Sequence, residues 1–154
     1  MMAEALMTRT VYTCSPEDSL EQATRIMWES DVGCLVVTDV ENKPVGMITD
    51  RDVAIAAYTQ GVPLRDSRVA SAMAQHVLTC APNTPLGELE ILMRGAQIRR
   101  LPVVDMRSKL MGIVTLGDIA RNAQSGPLHM TEIPGLARTF AAITERRCAA
   151  SAAQ

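Results

Sequence analysis

The amino-acid sequence predicts an α/β (α+β) fold made of two β-α-β-β-α repeats packed as one pseudo-two-fold module, with a C-terminal helix beyond them. Three observations carry that prediction. First, the run Gly46-Met47-Ile48-Thr49-Asp50-Arg51-Asp52-Val53 returns as Gly112-Ile113-Val114-Thr115-Leu116-Gly117-Asp118-Ile119, displaced by 66 residues. Second, the same displacement, without a gap, aligns Met7 with Met73, Val11 with Val77, Cys14 with Cys80, Pro16 with Pro82, Leu35 with Leu101, Asp39 with Asp105 and Lys43 with Lys109. This is an internal duplication. Third, each copy is marginal in size for folding alone, while 154 residues suit one domain with 47% apolar residues. The two repeats are therefore expected to share one core, with their small sheets back to back and their helices outside.

In chain order, Met1 to Met7 reads as a short helix and Val11 to Thr13 as a brief strand. Ser15-Pro16-Glu17-Asp18 is turn chemistry, with Asp18 as helix cap and Glu21 completing a box-like start. Leu20, Ala23, Ile26 and Met27 recur at helical spacing, and Leu35–Thr38 and Val45–Thr49 form a hairpin across the polar turn Asp39–Pro44. Arg51–Tyr58 is the next helix. The first repeat occupies residues 3–58, a linker 59–68 and the second repeat 69–124. The second replays the order: strand Val77–Thr79, a helix capped by Thr84 with Pro85 at its first position, hairpin Leu101–Asp105 and Met111–Thr115, closing helix Asp118–Ala123. A tail, residues 127–154, lies outside the duplication. Thr131 is its expected cap, Ile133, Leu136, Phe140 and Ile143 its apolar stripe, and Cys148–Gln154 an end expected to fray.

Composition excludes several functions. The net charge of −2 and the 3% aromatic content offer no basic stripe and no stacking platform for nucleic acid. The four cysteines form no C-x-x-C pair, and only His76 and His129 could join them, so no metal site is expected. Free thiols suit a reducing cytoplasm. The N-terminus lacks a signal-peptide pattern, and no stretch has the length of a membrane span. No nucleophile–base pair and no Walker-type loop stands out, so the expectation is a non-enzyme.

The chemistry lies in the doubled Thr-x-x-Asp. Each threonine ends a strand where a helix begins, and a helix N-terminus favours an anion such as phosphate. Asp52 and Asp118, one turn further, face the same cleft and suit the two hydroxyls of a ribose. Phosphate, ribose and an apolar wall together describe a nucleotide. The same figure is also an ordinary capping box, and the two roles are compatible. Arg99 and Arg100 read either as phosphate ligands reaching across a cleft or as a solvated pair. Repeat one has Gly33 and Cys34 there, so the clefts are expected to be unequal. Met47 and Ile113 are core residues first, with packing against a flat base as the second reading.

The duplicated Gly-h-h-Thr-x-x-Asp-h, with h apolar, and the run Arg99-Arg100-Leu101-Pro102-Val103 resemble a tandem pair of cystathionine-β-synthase (CBS) domains, the Bateman module. The likeness spans residues 3 to 124. It implies a regulatory module that binds adenine nucleotides (AMP, ADP, ATP or NAD) in clefts between the repeats and signals to a partner protein, without an obligatory cofactor. It assigns phosphate to Thr49, Thr115, Arg99 and Arg100, and ribose to Asp52 and Asp118. It also implies a homodimer, here expected through helix faces such as Leu20, Ile26 and Met27, and Leu86, Leu92 and Met93. The rival reading is a dimerising scaffold with vestigial clefts.

Overall fold

The computed structural model of the chain describes residues 1–125 and 133–144. A short helix α1 (Ala3–Leu6) leads into strand β1 (Thr13–Cys14), helix α2 (Leu20–Glu29), strands β2 (Cys34–Thr38) and β3 (Pro44–Thr49), and helix α3 (Asp50–Gln60). Helix α4 (Leu86–Ala96), strands β4 (Arg100–Val104) and β5 (Leu110–Thr115), and helix α5 (Leu116–Ser125) repeat that order, and α6 (Ile133–Thr144) follows. β1 runs parallel to β2, and β2 antiparallel to β3; β4 and β5 form the matching hairpin.

The duplication persists in backbone detail. The non-glycine residues with positive φ fall into pairs 66 apart: Asp31 and Gln97 after α2 and α4, Asn42 and Ser108 in the hairpin turns. Both turns hang on an aspartate. Asp39 accepts from the N–H groups of Glu41 and Lys43, and Asp105 from those of Arg107 and Lys109. Those backbone donors, with the neighbouring cations, hold the Asp105 carboxyl below its ordinary range.

One strand is missing. The expected Val77–Thr79 reduces to a single parallel bridge between Cys80 and Val103. In repeat one, Val36 N–H donates to the Tyr12 carbonyl, which extends the β1–β2 pairing. The equivalent of Val36 is Pro102, which has no N–H, so the ladder stops.

The caps also shift. Ser19, not Asp18, caps α2, in a box with Gln22; Asp18 instead accepts from Ser15 N–H and closes the turn. Thr84 does not cap α4. Its hydroxyl accepts from Ala81 N–H, Pro85 holds the cap position, and Leu86 N–H donates to the Met1 carbonyl. At the equivalent position of repeat one, Leu20 N–H donates to the Ser67 carbonyl.

That last pair reveals how the halves are joined. The segment ahead of each repeat packs on the other. Thr8 exchanges backbone hydrogen bonds with Ile113 on β5, and Ala74 with Met47 on β3. Two cores result instead of the single shared one expected. Ala3, Leu6 and Met7 complete the core of Leu89, Met93, Leu101, Val103 and Val114, while Val69 completes that of Leu20, Met27, Leu35, Val37 and Ile48. Burial pushes the core thiols of Cys14 and Cys80 up to about 12 and about 11.

Helix α6 lies on α4. A Cβ on Gly135 would come within 2.6 Å of Glu90 Oε2, so the glycine leaves the room that the Glu90 carboxylate occupies between the helices. Thr139 and Ile143 are buried, Leu136 packs against the second core, and Phe140 stays exposed, so the tail stripe is split. Thr131, His129 and Cys148–Gln154 lie outside the described residues. Leu20, Met27, Leu86 and Met93, expected at a dimer edge, are buried in the chain's own cores; the exposed apolar side chains on the repeat helices include Trp28, Tyr58 and Ile91.

A Cβ at Gly112 would sit 2.6 Å from Met7 Sδ and 3.0 Å from the Thr8 carbonyl oxygen. Gly112→Ala is expected to cost about 1–3 kcal/mol by overpacking, read as a melting temperature lower by several degrees. The exposed Gly87→Ala, with open space around its Cβ position, serves as the control and should not fall.

Candidate functional site

Both Thr-x-x-Asp figures sit where a hairpin strand turns directly into a helix. Thr49 Oγ1 accepts from Asp52 N–H at 3.2 Å, while Asp52 Oδ2 accepts from Thr49 N–H at 2.9 Å and Thr49 Oγ1 at 2.7 Å. The second copy matches: Asp118 N–H to Thr115 Oγ1 at 3.1 Å, and Thr115 N–H and Oγ1 to Asp118 Oδ2 at 2.8 and 2.6 Å. Each is a full capping box. The first N–H of each helix is spent too, Asp50 on the Gly33 carbonyl and Leu116 on the Arg99 carbonyl. Arg51 N–H donates to Asp50 Oδ1. The helix N-terminus of α3 therefore has its leading donors satisfied from within, and an anion there must be held by side chains.

Those side chains are present. Thr49, Asp50, Arg51, Asp52 and Ile55 face Gln97, Arg99 and Arg100 from the other repeat across a cleft of about 1030 Å³, with Gly33, Ile143 and Thr144 at its margin. The two arginines thus face the repeat-one threonine across this cleft while also standing beside their own, Arg100 being the strand partner of Thr115. The counterpart cleft, about 360 Å³, sets Ile113, Thr115, Asp118 and Arg121 against Thr8, Tyr12, Asp31, Gly33 and Cys34, with Arg100 shared. Both volumes lie in the range of small-molecule sites. Both residues make a backbone bridge to a lead-in segment, Ile113 to Thr8 and Met47 to Ala74; Ile113 lines its cleft, and Met47 is not on the wall of the first one. A third, largely apolar groove of about 670 Å³ runs between α5 and α6, past Leu116, Ala120, Leu136 and Phe140 to Arg99 and Arg100.

Electrostatics separate the two clefts. Asp52 Oδ1 has no donor within reach among the described residues, whereas Asp118 Oδ1 accepts from Arg121 Nη2 in an ion pair. Asp118 is 6% exposed. Burial pushes the Cys34 thiol up, against the pull of Arg100 and with the help of Asp50 and Asp52. Sequence reasoning missed Arg121, Arg51, Asp31 and Gln97. The signal for Arg121 was there: its equivalent 66 residues earlier is Ile55.

Paired repeats, exchanged lead-in segments and two inter-repeat clefts headed by capped threonines define a duplicated two-cleft module. The family model of the CBS domain matches residues 3–58 and 69–125, and the chain belongs to that family. It is 39% identical over 121 residues to the CBS domain-containing protein YhcV of Bacillus subtilis, covering 77% of this chain and 83% of that protein. It is 32% identical to inosine-5'-monophosphate dehydrogenase of Methanocaldococcus jannaschii, but over only 23% of that enzyme. Among solved structures it resembles the CBS domain pair of protein MJ0100 in complex with 5'-methylthioadenosine and S-adenosyl-L-methionine, at 26% identity and TM-score 0.71, covering 79% of this chain and 94% of that one. The CBS-domain protein ATU1752 of Agrobacterium tumefaciens matches at 29% identity and TM-score 0.70, covering 79% and 98%. CBS pairs are regulatory modules. No described helix is long and apolar enough to cross a membrane, and among the described residues no three histidine, cysteine or acidic side chains gather as for a metal.

If the boxes carry the helix starts, Thr49→Ala and Thr115→Ala should each lose about 1 kcal/mol in urea unfolding, and Thr→Ser should restore most of it. Equal losses from Ala and Ser would contradict the cap.

Proposed function

We propose that this chain is a non-enzymatic regulatory module that binds an adenine nucleotide between its repeats and signals to a partner protein, in a cytoplasmic setting. The observation that carries the reading is the cleft of Thr49 and Asp52, where one repeat's carboxylate faces the other's arginines. Asp52 Oδ1 is the ribose acceptor, since Oδ2 is held by the cap. Arg99 and Arg100, with Arg51 beside them, are the phosphate ligands; guanidinium groups give the planar donor pairs that phosphate takes. Asp118, Thr115 and Ile113 have the corresponding roles in the second cleft, with Ile113 against the base. AMP, ADP, ATP and NAD share the adenosine and phosphate this site reads. The MJ0100 pair, bound to two adenosine-containing ligands, supports the adenosine part. The rival reading as a scaffold keeps the fold but leaves the clefts empty.

Titration calorimetry with AMP, ATP and NAD decides between them. Binding should appear with at least one, Asp52→Ala should weaken it roughly tenfold or more by removing a charged acceptor, and the double variant Arg99→Ala/Arg100→Ala should weaken it and flatten its salt dependence. Silence from all the nucleotides would favour the scaffold.

The chain is further proposed to form a homodimer, burying exposed helix residues such as Trp28 and Tyr58, which are 86% and 89% exposed. Light scattering at micromolar concentration should give twice the chain mass, and Trp28→Glu or Tyr58→Glu should shift it toward the monomer. A wild-type monomer mass would reject the dimer.

A further inference from the structure

We infer that Arg121 sets the rank order of the two clefts: by holding the carboxylate oxygen of Asp118 that a ribose needs, it makes the Thr115 cleft the weaker site for a nucleoside monophosphate. This rests on the adenine-nucleotide reading above. A ribose presents two adjacent hydroxyls, and a carboxylate receives them on an oxygen not already committed. Each cleft aspartate gives Oδ2 to its own helix cap. What remains is Oδ1. On Asp52 it is clear of described donors, but on Asp118 it carries the guanidinium of Arg121.

The difference traces to two paired departures from the duplication. The position two residues beyond each threonine is Arg51 in repeat one and Gly117 in repeat two; the position six beyond is Ile55 and Arg121. Gly117 makes the room. A Cβ there would lie 3.4 Å from Arg121 Nη1, at the edge of contact, and any longer side chain would compete for the space the guanidinium uses. In repeat one Arg51 emerges beside the phosphate-side arginines instead, and Ile55 cannot pair with Asp52. The ion pair is buried on one side only: the side chain of Asp118 is 8% exposed and that of Arg121 is 72% exposed. Breaking it to admit a ribose leaves the carboxylate with its new hydroxyl partners but costs the charge-assisted bond. The Thr115 cleft also lacks the second arginine, having Gly33 and Cys34 opposite.

Calorimetry of the full chain with AMP tests the inference. The wild type should show a tighter and a weaker site, and Asp52→Ala should abolish the tighter one. In that Asp52→Ala background, Arg121→Ile should tighten the remaining site roughly tenfold, the worth of one freed charged acceptor. Placing the arginine in the other cleft, Ile55→Arg, should weaken the tighter site of the wild type by a similar factor. Removing Arg121 leaves the nearly buried Asp118 carboxylate without its cation, so the melting temperature without ligand should fall; tighter binding by a less stable protein separates the effect from misfolding. If Arg121→Ile loosens the remaining site, the arginine is a phosphate ligand and the inference is overturned. An unchanged affinity, or two equal wild-type sites, overturns it as well. No heat from the wild type itself is a different failure, that of the nucleotide reading.

Discussion

The clefts exist because the backbone comes unusually close to itself at two glycines. At Gly46 an added Cβ would meet Met73 Sδ at 2.5 Å and the Ala74 carbonyl oxygen at 3.2 Å; at Gly112 the same atoms of Met7 and Thr8 stand at 2.6 and 3.0 Å. Only without a side chain can the lead-in segment of one repeat hydrogen-bond to the third strand of the other. That exchange ties residues 1–8 to repeat two and the segment around Met73 to repeat one, so neither half completes its core alone. It also brings the threonine end of each hairpin to face the strand entry of the opposite repeat. The arginines at the start of β4 therefore face Thr49, 50 residues away in sequence. A repeat that folded as a closed unit would have left them beside Thr115 alone.

The strand-to-helix junctions then dictate what kind of chemistry the clefts offer. A bare helix N-terminus would hold an anion by its N–H groups. At α3 those groups are consumed by the capping box, the Gly33 carbonyl and Asp50, and at α5 by the capping box and the Arg99 carbonyl. Recognition passes from backbone to side chains, and with it the symmetry is lost, because side chains diverge between the repeats where backbone hydrogen bonds do not. Duplication supplied two equal scaffolds. Arg51 against Gly117, Ile55 against Arg121, and Gly33-Cys34 against Arg99-Arg100 make them unequal.

Much of this was legible in the sequence. The offset of 66 placed both hairpins, all four principal helices of the repeats and both capping boxes, because polar turns, alternating apolar strands and helix-start residues are local signals. The misses were non-local. Asp18 and Thr84 look like caps, yet each serves a turn, and the donors of α2 and α4 find partners in distant segments, Ser67 and Met1. The absent strand before β4 could have been read from Pro102, but only by asking which N–H its parallel neighbour required. The exchange of lead-in segments left no local mark beyond Gly46 and Gly112. Periodicity gave the tail its stripe, but not that Gly135 would lie against Glu90 of α4 and Thr139 be buried while Phe140 stayed exposed.

The tail completes the asymmetry. Gln97, in the left-handed region at the end of α4, donates its side-chain amide to the Ala142 carbonyl of α6, and it also lines the Thr49 cleft. Ile143 and Thr144 reach the margin of the same cleft, and among the described residues no part of α6 lines the other one. The cleft with the clear Asp52 oxygen and both arginines is thus the one whose wall includes a helix outside the duplication. A ligand large enough to span from Asp52 to the arginines would contact three structural units: α3 of one repeat, the β4 entry of the other, and the end of α6. By linkage, any preference of a ligand there for one position of α6 would be matched by an equal influence of α6 on its affinity, so coupling between this cleft and the tail need not cross either hydrophobic core.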